Sequence, residues 1–278
     1  MNTERAEPDE NPRKNLISTL FALLVLPICL TVARAQAPGI LAEGVYGANT
    51  QSPMPTVPGV HWVHGLHWTM TGVPGGGFKV EEARIVSGND NRFVQVFGFS
   101  KEWKPASFSL QMFSRDSAQP SMSLVCEYQQ DAISCDGLDH EKTTSDSLHV
   151  DGPKVFLPPG FATDMFWVMA AVCTQAERTP GKVTDVAVVS VVDDPKSSVL
   201  KLEVAESLPV AYIGQEDLKT ALGTMRAHKF RIQDMPVWTA DSGLVLAMTF
   251  ESSDGGTRID LSSLEDKTHS LVPAAVPK

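Results

Sequence analysis

The sequence predicts a mainly β protein: an antiparallel curved sheet or half-open β-barrel wrapped around one buried apolar helix. Three observations predict it. From Gly59 onward, short runs of alternating apolar and polar residues are separated by turn residues, the pattern of antiparallel strands. A single stretch, Met165 to Cys173, runs without a polar residue inside a segment bounded by Pro158-Pro159-Gly160 and Pro180-Gly181, and a helix apolar on every side must be buried on every side. Finally, 278 residues with 42% hydrophobic content suffice for one substantial core.

The first element is a leader. Arg13 and Lys14, an apolar run from Leu16 to Val32, and Ala33-Arg34-Ala35 ahead of Gln36 form the basic, hydrophobic and small-residue regions of a secretory signal, with cleavage after Ala35. The rival reading is an uncleaved anchor, because the run is at the lower limit for spanning a bilayer; Pro27 and the Ala-x-Ala site favour cleavage, after which no stable membrane span remains. Cys29 follows bulky Ile28 and so fits lipidation poorly. The expected location is periplasmic or secreted.

Residues 36–58, with several Gly, Pro, Ser and Thr, read as an irregular lead-in, and 59–267 as one β-rich domain. Strands are expected at His61 to Thr71, Lys79 to Ser87, Arg92 to Ser100, Ser107 to Phe113, Met122 to Gln129 and Ala132 to Cys135. Turns are expected at Pro74 to Gly77, Gly88 to Asn91 and Gln130-Asp131, with a polar loop at 137–147. In the hairpin from Ser123 to Gly137, a turn near Gln130-Asp131 sets Cys126 opposite Cys135, a cross-strand pair within disulfide range. The helix is expected from Thr163 or Asp164 to about Arg178, with Cys173 a small buried hydrophobe inside it. Strands then follow at Val183 to Val192, Val199 to Ala211, Gly223 to Ile232, Val237 to Phe250 with a turn at Asp241-Ser242-Gly243, and Thr257 to Leu264. Residues 268–278 read as a loose tail.

The second half, residues 155–265, resembles a family of periplasmic bacterial proteins of unknown function whose fold is similar to the lipoprotein carriers LolA and LolB. The residues that carry the resemblance are the buried helix Asp164 to Val172, the run Val183-Thr-Asp-Val-Ala-Val-Val189, Leu222-Gly223-Thr224 with Lys229-Phe230, and Val237-Trp238-Thr239-Ala240-Asp241-Ser242-Gly243-Leu244-Val245-Leu246. The match is one of order and spacing. It implies a half-open barrel around a helix with an apolar concave surface, an architecture whose relatives carry acyl chains.

Composition excludes some functions. Removal of residues 1–35 takes away equal numbers of acidic and basic side chains, so the net charge stays at −10, with no Lys/Arg cluster to meet nucleic acid or an anionic membrane. His61, His64 and His67 are the most metal-like group, but strand alternation splits them between faces and leaves Trp62, His64, Leu66, Trp68 and Met70 as one aromatic-rich face. His140, His149, His228 and His269 are scattered. No nucleophile, metal or cofactor motif is found, so no catalytic residue and no cofactor is expected. What remains is the apolar inventory Trp68, Phe166, Trp167, Met169 and Trp238, expected to line a concavity. The leading expectation is a non-enzymatic protein that binds a hydrophobic small molecule or lipid, in envelope maintenance. The alternatives are a structural or protein-interaction β module that meets an envelope protein, its concavity filled by the helix, and a secreted hydrolase whose site is assembled from distant residues.

Overall fold

A computed structural model describes residues 39–48, 66–86, 91–115, 117–139, 142–158, 165–193, 200–250 and 257–272. The leader at 1–35, and with it the helix start at Thr163 or Asp164, lies outside them. The strands are β1 (Ile40–Ala48), β2 (Leu66–Gly72), β3 (Phe78–Val86), β4 (Asn91–Phe99), β5 (Pro105–Phe113), β6 (Met122–Tyr128), β7 (Ala132–Asp139), β8 (Lys142–His149) and β9 (Lys154–Leu157). After the helix α1 (Met165–Gln175) come β10 (Val183–Asp193), β11 (Leu200–Thr220), β12 (Gly223–Ile232), β13 (Met235–Thr239), β14 (Val245–Phe250) and β15 (Thr257–Asp266).

These fifteen strands form one sheet in the order β8-β7-β6-β5-β4-β3-β2-β1-β15-β14-β13-β12-β11-β10-β9. Every neighbouring pair is antiparallel except β9 and β10, the two strands that α1 connects. The sheet curls until its ends overlap. β8 reaches β11 through side chains, with Asp146 Oδ2 accepting from the Leu202 amide at 2.7 Å. β9 lies inside, its Phe156 ring 5.3 Å from that of Phe108 and its Phe156 amide donating to the Tyr128 hydroxyl at 2.7 Å.

Alternation gives each strand an inward row of large apolar residues, such as Leu66, Trp68 and Met70 on β2 or Phe108 and Leu110 on β5, all buried. One transverse row is different. Gly44, Trp68, Glu82, Gln95, Leu110, Leu124 and Gly137 are successive lateral partners across β1 to β7, with polar residues in the middle and glycine at each end. The glycines are demanded by close approach. A Cβ on Gly44 would stand 2.4 Å from Cζ2 of Trp68, and one on Gly137 would stand 2.9 Å from Cδ1 of Leu200.

Cys126 and Cys135 are register partners, and their sulfurs are bonded, with Cα atoms 4.1 Å apart. Four expectations need correction. Residues 36–58 are not wholly an irregular lead-in, because β1 occupies 40–48 at the centre of the sheet; its inward positions are Ala42, Gly44 and Tyr46, and the small residues that make room for Trp68 disguise the alternation. Residues 137–139 and 142–147 are strand and not loop. They complete β7 and most of β8, which is polar because it is the outer edge strand and half-covers only one face. Residues 268–272 are tied down: Asp266 accepts from the backbone amides of Thr268, His269 and Leu271 at 2.8, 3.0 and 2.8 Å, and Leu271 is buried. Helix α1 also ends at Gln175 rather than Arg178, and there the Gln175 side-chain amide bonds both the carbonyl and the backbone amide of Lys154 on β9.

Gly44→Ala is expected to lower stability by about 1–3 kcal/mol, since the rigid indole cannot yield to a new methyl without displacing its neighbours. Urea unfolding of the variant beside the parent, compared at equal m-value, measures it.

Candidate functional site

The interior is filled by α1. Phe166 through Cys173 are all buried, a run of eight residues that leaves the helix no polar stripe. Tyr46 stacks on Phe166 at 3.8 Å between ring centroids, and Trp68 meets Trp167 edge-on at 5.2 Å. Trp68, Phe166, Trp167 and Met169 are therefore brought into one packed interior. The space left between Phe97, Tyr128, Phe156, Trp167 and Ala171 is about 10 Å³, too small for a ligand. Trp238 is placed elsewhere, and the expectation that it lines the concavity is corrected. Val237 takes the inward position on β13, so alternation turns Trp238 outward. There its Nε1 donates to Glu216 Oε1 at 2.7 Å, and Lys229 and Arg258 lie over its ring at 5.2 and 5.5 Å.

Polar groups within this interior set the position of the helix. Trp167 Nε1 donates to the buried carboxylate of Glu82. Beside Glu82, Gln95 is buried with neither amide atom hydrogen-bonded among the described residues, and Trp68 Nε1 is in the same state. The Tyr46 hydroxyl donates to the Val245 carbonyl at 2.9 Å, and its pKa is pushed well above the ordinary value by burial and then by the charge of Glu82. Burial likewise pushes the Cys173 thiol up, which keeps it an unreactive hydrophobe.

A second site lies at the mouth, by the C-terminal end of α1. Lys101, Glu102, Trp103, Thr174, Ala176, Arg178, Asp241, Ser242, Ser270 and Leu271 line an open, predominantly polar cleft of about 550 Å³. Four segments build it. The turn Ser100 to Lys104 holds Trp103 at φ 63°, a left-handed conformation that is costly for an aromatic residue, and Thr174 Oγ1 donates to the Trp103 carbonyl at 2.9 Å. The turn Ala240 to Leu244 packs on the helix end, and Gly243 is required there because φ is 110° and a Cβ would stand 2.8 Å from Thr174. Ser242 Oγ donates to the Leu271 carbonyl at 2.6 Å, which ties the C-terminal segment to this wall.

Behind the cleft, His228 gathers four side chains from three further places in the chain. Its Nε2 lies 2.6 Å from Asp241 Oδ1, 3.2 Å from Arg178 Nη1 and 3.2 Å from Gln215 Nε2, while Nδ1 lies 2.9 Å from the Tyr212 hydroxyl. A carboxylate, an imidazole and a hydroxyl in series suggest hydrolytic chemistry, but here the series points the wrong way. The Asp241 side chain is 75% exposed, whereas Tyr212 is 6% exposed. A nucleophile must face the substrate with its carboxylate partner behind it. This arrangement presents charge and hydrogen-bonding groups to the cleft and turns its Tyr212 hydroxyl away from it. Sequence reasoning missed His228 because its partners lie 13, 13, 16 and 50 residues away. The Asp241-Ser242-Gly243 turn was legible, but what it faces was not. Of the His61, His64 and His67 group, only His67 lies among the described residues, exposed on β2, and no group of three or more metal-ligating side chains is gathered among those residues.

Fold and site together define a β-barrel-like module closed around its own helix, with a polar cleft at its mouth. No family model matches the chain, and no curated protein matches it. Among solved structures it is similar to a β-barrel-like protein of the domain of unknown function DUF1849 from Brucella abortus, at 12% identity and a TM-score of 0.39, covering 82% of this chain and 99% of that one. No helix among the described residues is long and apolar enough to cross a membrane.

Trp167→Phe is expected to cost about 2–4 kcal/mol, because it removes a donor from a buried carboxylate and shrinks a packed ring. Trp238→Phe, which loses a bond to a partly exposed Glu216, is expected to cost about 1 kcal/mol or less; paired urea titrations separate the two. The Asp266 carboxyl is pushed up by burial and pulled down further by hydrogen bonds from Thr268, Leu271 and His269, and its pKa is lowered overall. A depressed pKa contributes stability that is complete above the unfolded value of about 3.9 and is lost as pH falls through the lower folded value. Hydrogen exchange of the Thr268, His269 and Leu271 amides, corrected for intrinsic rates, is therefore expected to show constant protection above about pH 4 and loss below it; Asp266→Asn removes that dependence.

Proposed function

We propose that this protein is an extracytoplasmic, non-enzymatic β-barrel module that works in the cell envelope by binding a partner through its outer surface and mouth rather than by carrying a ligand inside. One observation carries the reading: the concavity that a carrier needs is occupied by the fully buried α1, and the gap between it and Phe97, Tyr128 and Phe156 is about 10 Å³. Admitting an acyl chain would expel a helix whose large side chains each contribute about 1.5–3 kcal/mol by staying buried. The basic-hydrophobic-small pattern from Arg13 to Ala35 and the Cys126–Cys135 bond support an oxidising compartment outside the cytoplasm. The competing reading is carriage of a lipid-like ligand by a LolA-like barrel, with α1 moving to open a concavity lined by Trp68 and by its own Phe166, Trp167 and Met169.

Native mass spectrometry of the full chain expressed with its leader and purified from the envelope fraction tests both. The expected species begins at Gln36, is lighter by two hydrogen atoms for the disulfide, carries no lipid, and takes up none from added dodecanoate or phosphatidylglycerol. A stoichiometric lipid adduct overturns the closed-barrel reading, and a chain retained in the cytoplasm overturns the compartment.

A further inference from the structure

The mouth cleft has a composition that selects a chemical class of ligand, and this goes beyond the interaction role proposed above. His228 Nε2 faces partners that it cannot serve together. Carrying a proton, it donates to Asp241 Oδ1 and cannot accept from Arg178 or Gln215; bare, it accepts from one of them and cannot serve Asp241. In the first state the Arg178 fork is turned toward the cleft as donor, and in the second the Asp241 carboxylate is turned there as acceptor. Both residues line the opening. Across the cleft Lys101 and Glu102 repeat the pairing at 3.6 Å, so the walls hold two cations and two carboxylates. An anionic ligand would meet Asp241 and Glu102, and a cationic one would meet Lys101 and Arg178. A hydroxyl group donates and accepts at once, and vicinal hydroxyls satisfy a carboxylate and a guanidinium side by side. The rest of the wall agrees: Thr174, Ser242 and Ser270 contribute hydroxyl oxygens, while Trp103, buried against Phe78 and Phe99, forms the floor.

We propose that this cleft binds a neutral polyhydroxylated ligand, a short saccharide. Arg178 and Asp241 supply the paired donor and acceptor, and His228 holds them in register.

The test is saturation-transfer NMR on the full mature chain, with maltotriose and N,N′,N″-triacetylchitotriose as neutral probes and glucuronate, glucosamine and inorganic phosphate as charged ones. Transfer is expected from a neutral probe, with the dissociation constant raised about tenfold or more in Arg178→Ala and in Asp241→Asn, the effect of losing one charge-assisted hydrogen bond. Both side chains are at the surface, and unchanged near-ultraviolet circular dichroism confirms that the variants fold. Three results overturn the proposal: no transfer from either neutral probe at millimolar concentration, tighter binding of a charged probe than of a neutral one, or neutral binding that survives both substitutions. None of these bears on whether the barrel is closed, which the lipid-uptake measurement decides separately.

Discussion

Burial of a helix that has no polar face is the constraint from which the architecture follows. Phe166 to Cys173 cannot lie on a sheet with one side in water, as an amphipathic helix does, so the sheet must come around it. That requirement explains the inward rows of large side chains on successive strands. It also accounts for the closure. The tube must hold β9 as well as α1, and the sheet achieves this by overlapping its ends instead of sealing them with a backbone ladder. Asp146 on β8 bonds the Leu202 amide on β11, while β9 continues beneath. The Gln175 side chain then bonds the Lys154 backbone in both directions, and the Lys154 ammonium is satisfied by the carbonyls of Gln130 and Val150 at 2.8 and 3.0 Å. In this way a buried cation is paired entirely with backbone at the point where chain, helix and sheet edge meet.

An apolar rod in an apolar tube has no preferred rotation about its axis. Polar contacts remove that freedom here. The Trp167–Glu82 bond points one face of α1 at β3, and Thr174 fixes the far end to the Trp103 carbonyl. Burying Glu82 opposes folding, since a carboxylate is costly away from water unless it is hydrogen-bonded. Its return is a single seating of the helix, which in turn places the Ser100 to Lys104 turn and the Ala240 to Leu244 turn. The mouth cleft is thus a consequence of how the interior is locked.

Much of this was legible in the sequence, for identifiable reasons. The uniform apolar run from Met165 to Cys173 announced both the helix and its complete burial, and the spacing of Cys126 and Cys135 about a tight turn announced their pairing. What was hidden was hidden by small or polar residues with long-range reasons to be there. Gly44 masks the alternation of β1 because Trp68 needs its space. The polar β8 resembles a loop because it is an edge. Trp238 looked like a pocket residue, since hydrophobicity alone does not tell which face of a short strand an aromatic takes when both faces are covered. His228 was unreadable because its meaning lies wholly in Arg178, Tyr212, Gln215 and Asp241, which the fold brings to it from three separate segments.

The central claim is that α1 is a permanent part of the core and not a displaceable occupant. Native-state hydrogen exchange of its backbone amides, followed through increasing denaturant, tests that most directly. If the helix is core, the amides from Met169 to Gln175 exchange only by global unfolding, with the same free energy and denaturant dependence as the slowest amides of β4 and β14. Exchange of those helix amides at a distinctly lower free energy, with the sheet still protected, would show a barrel that opens and would contradict the account.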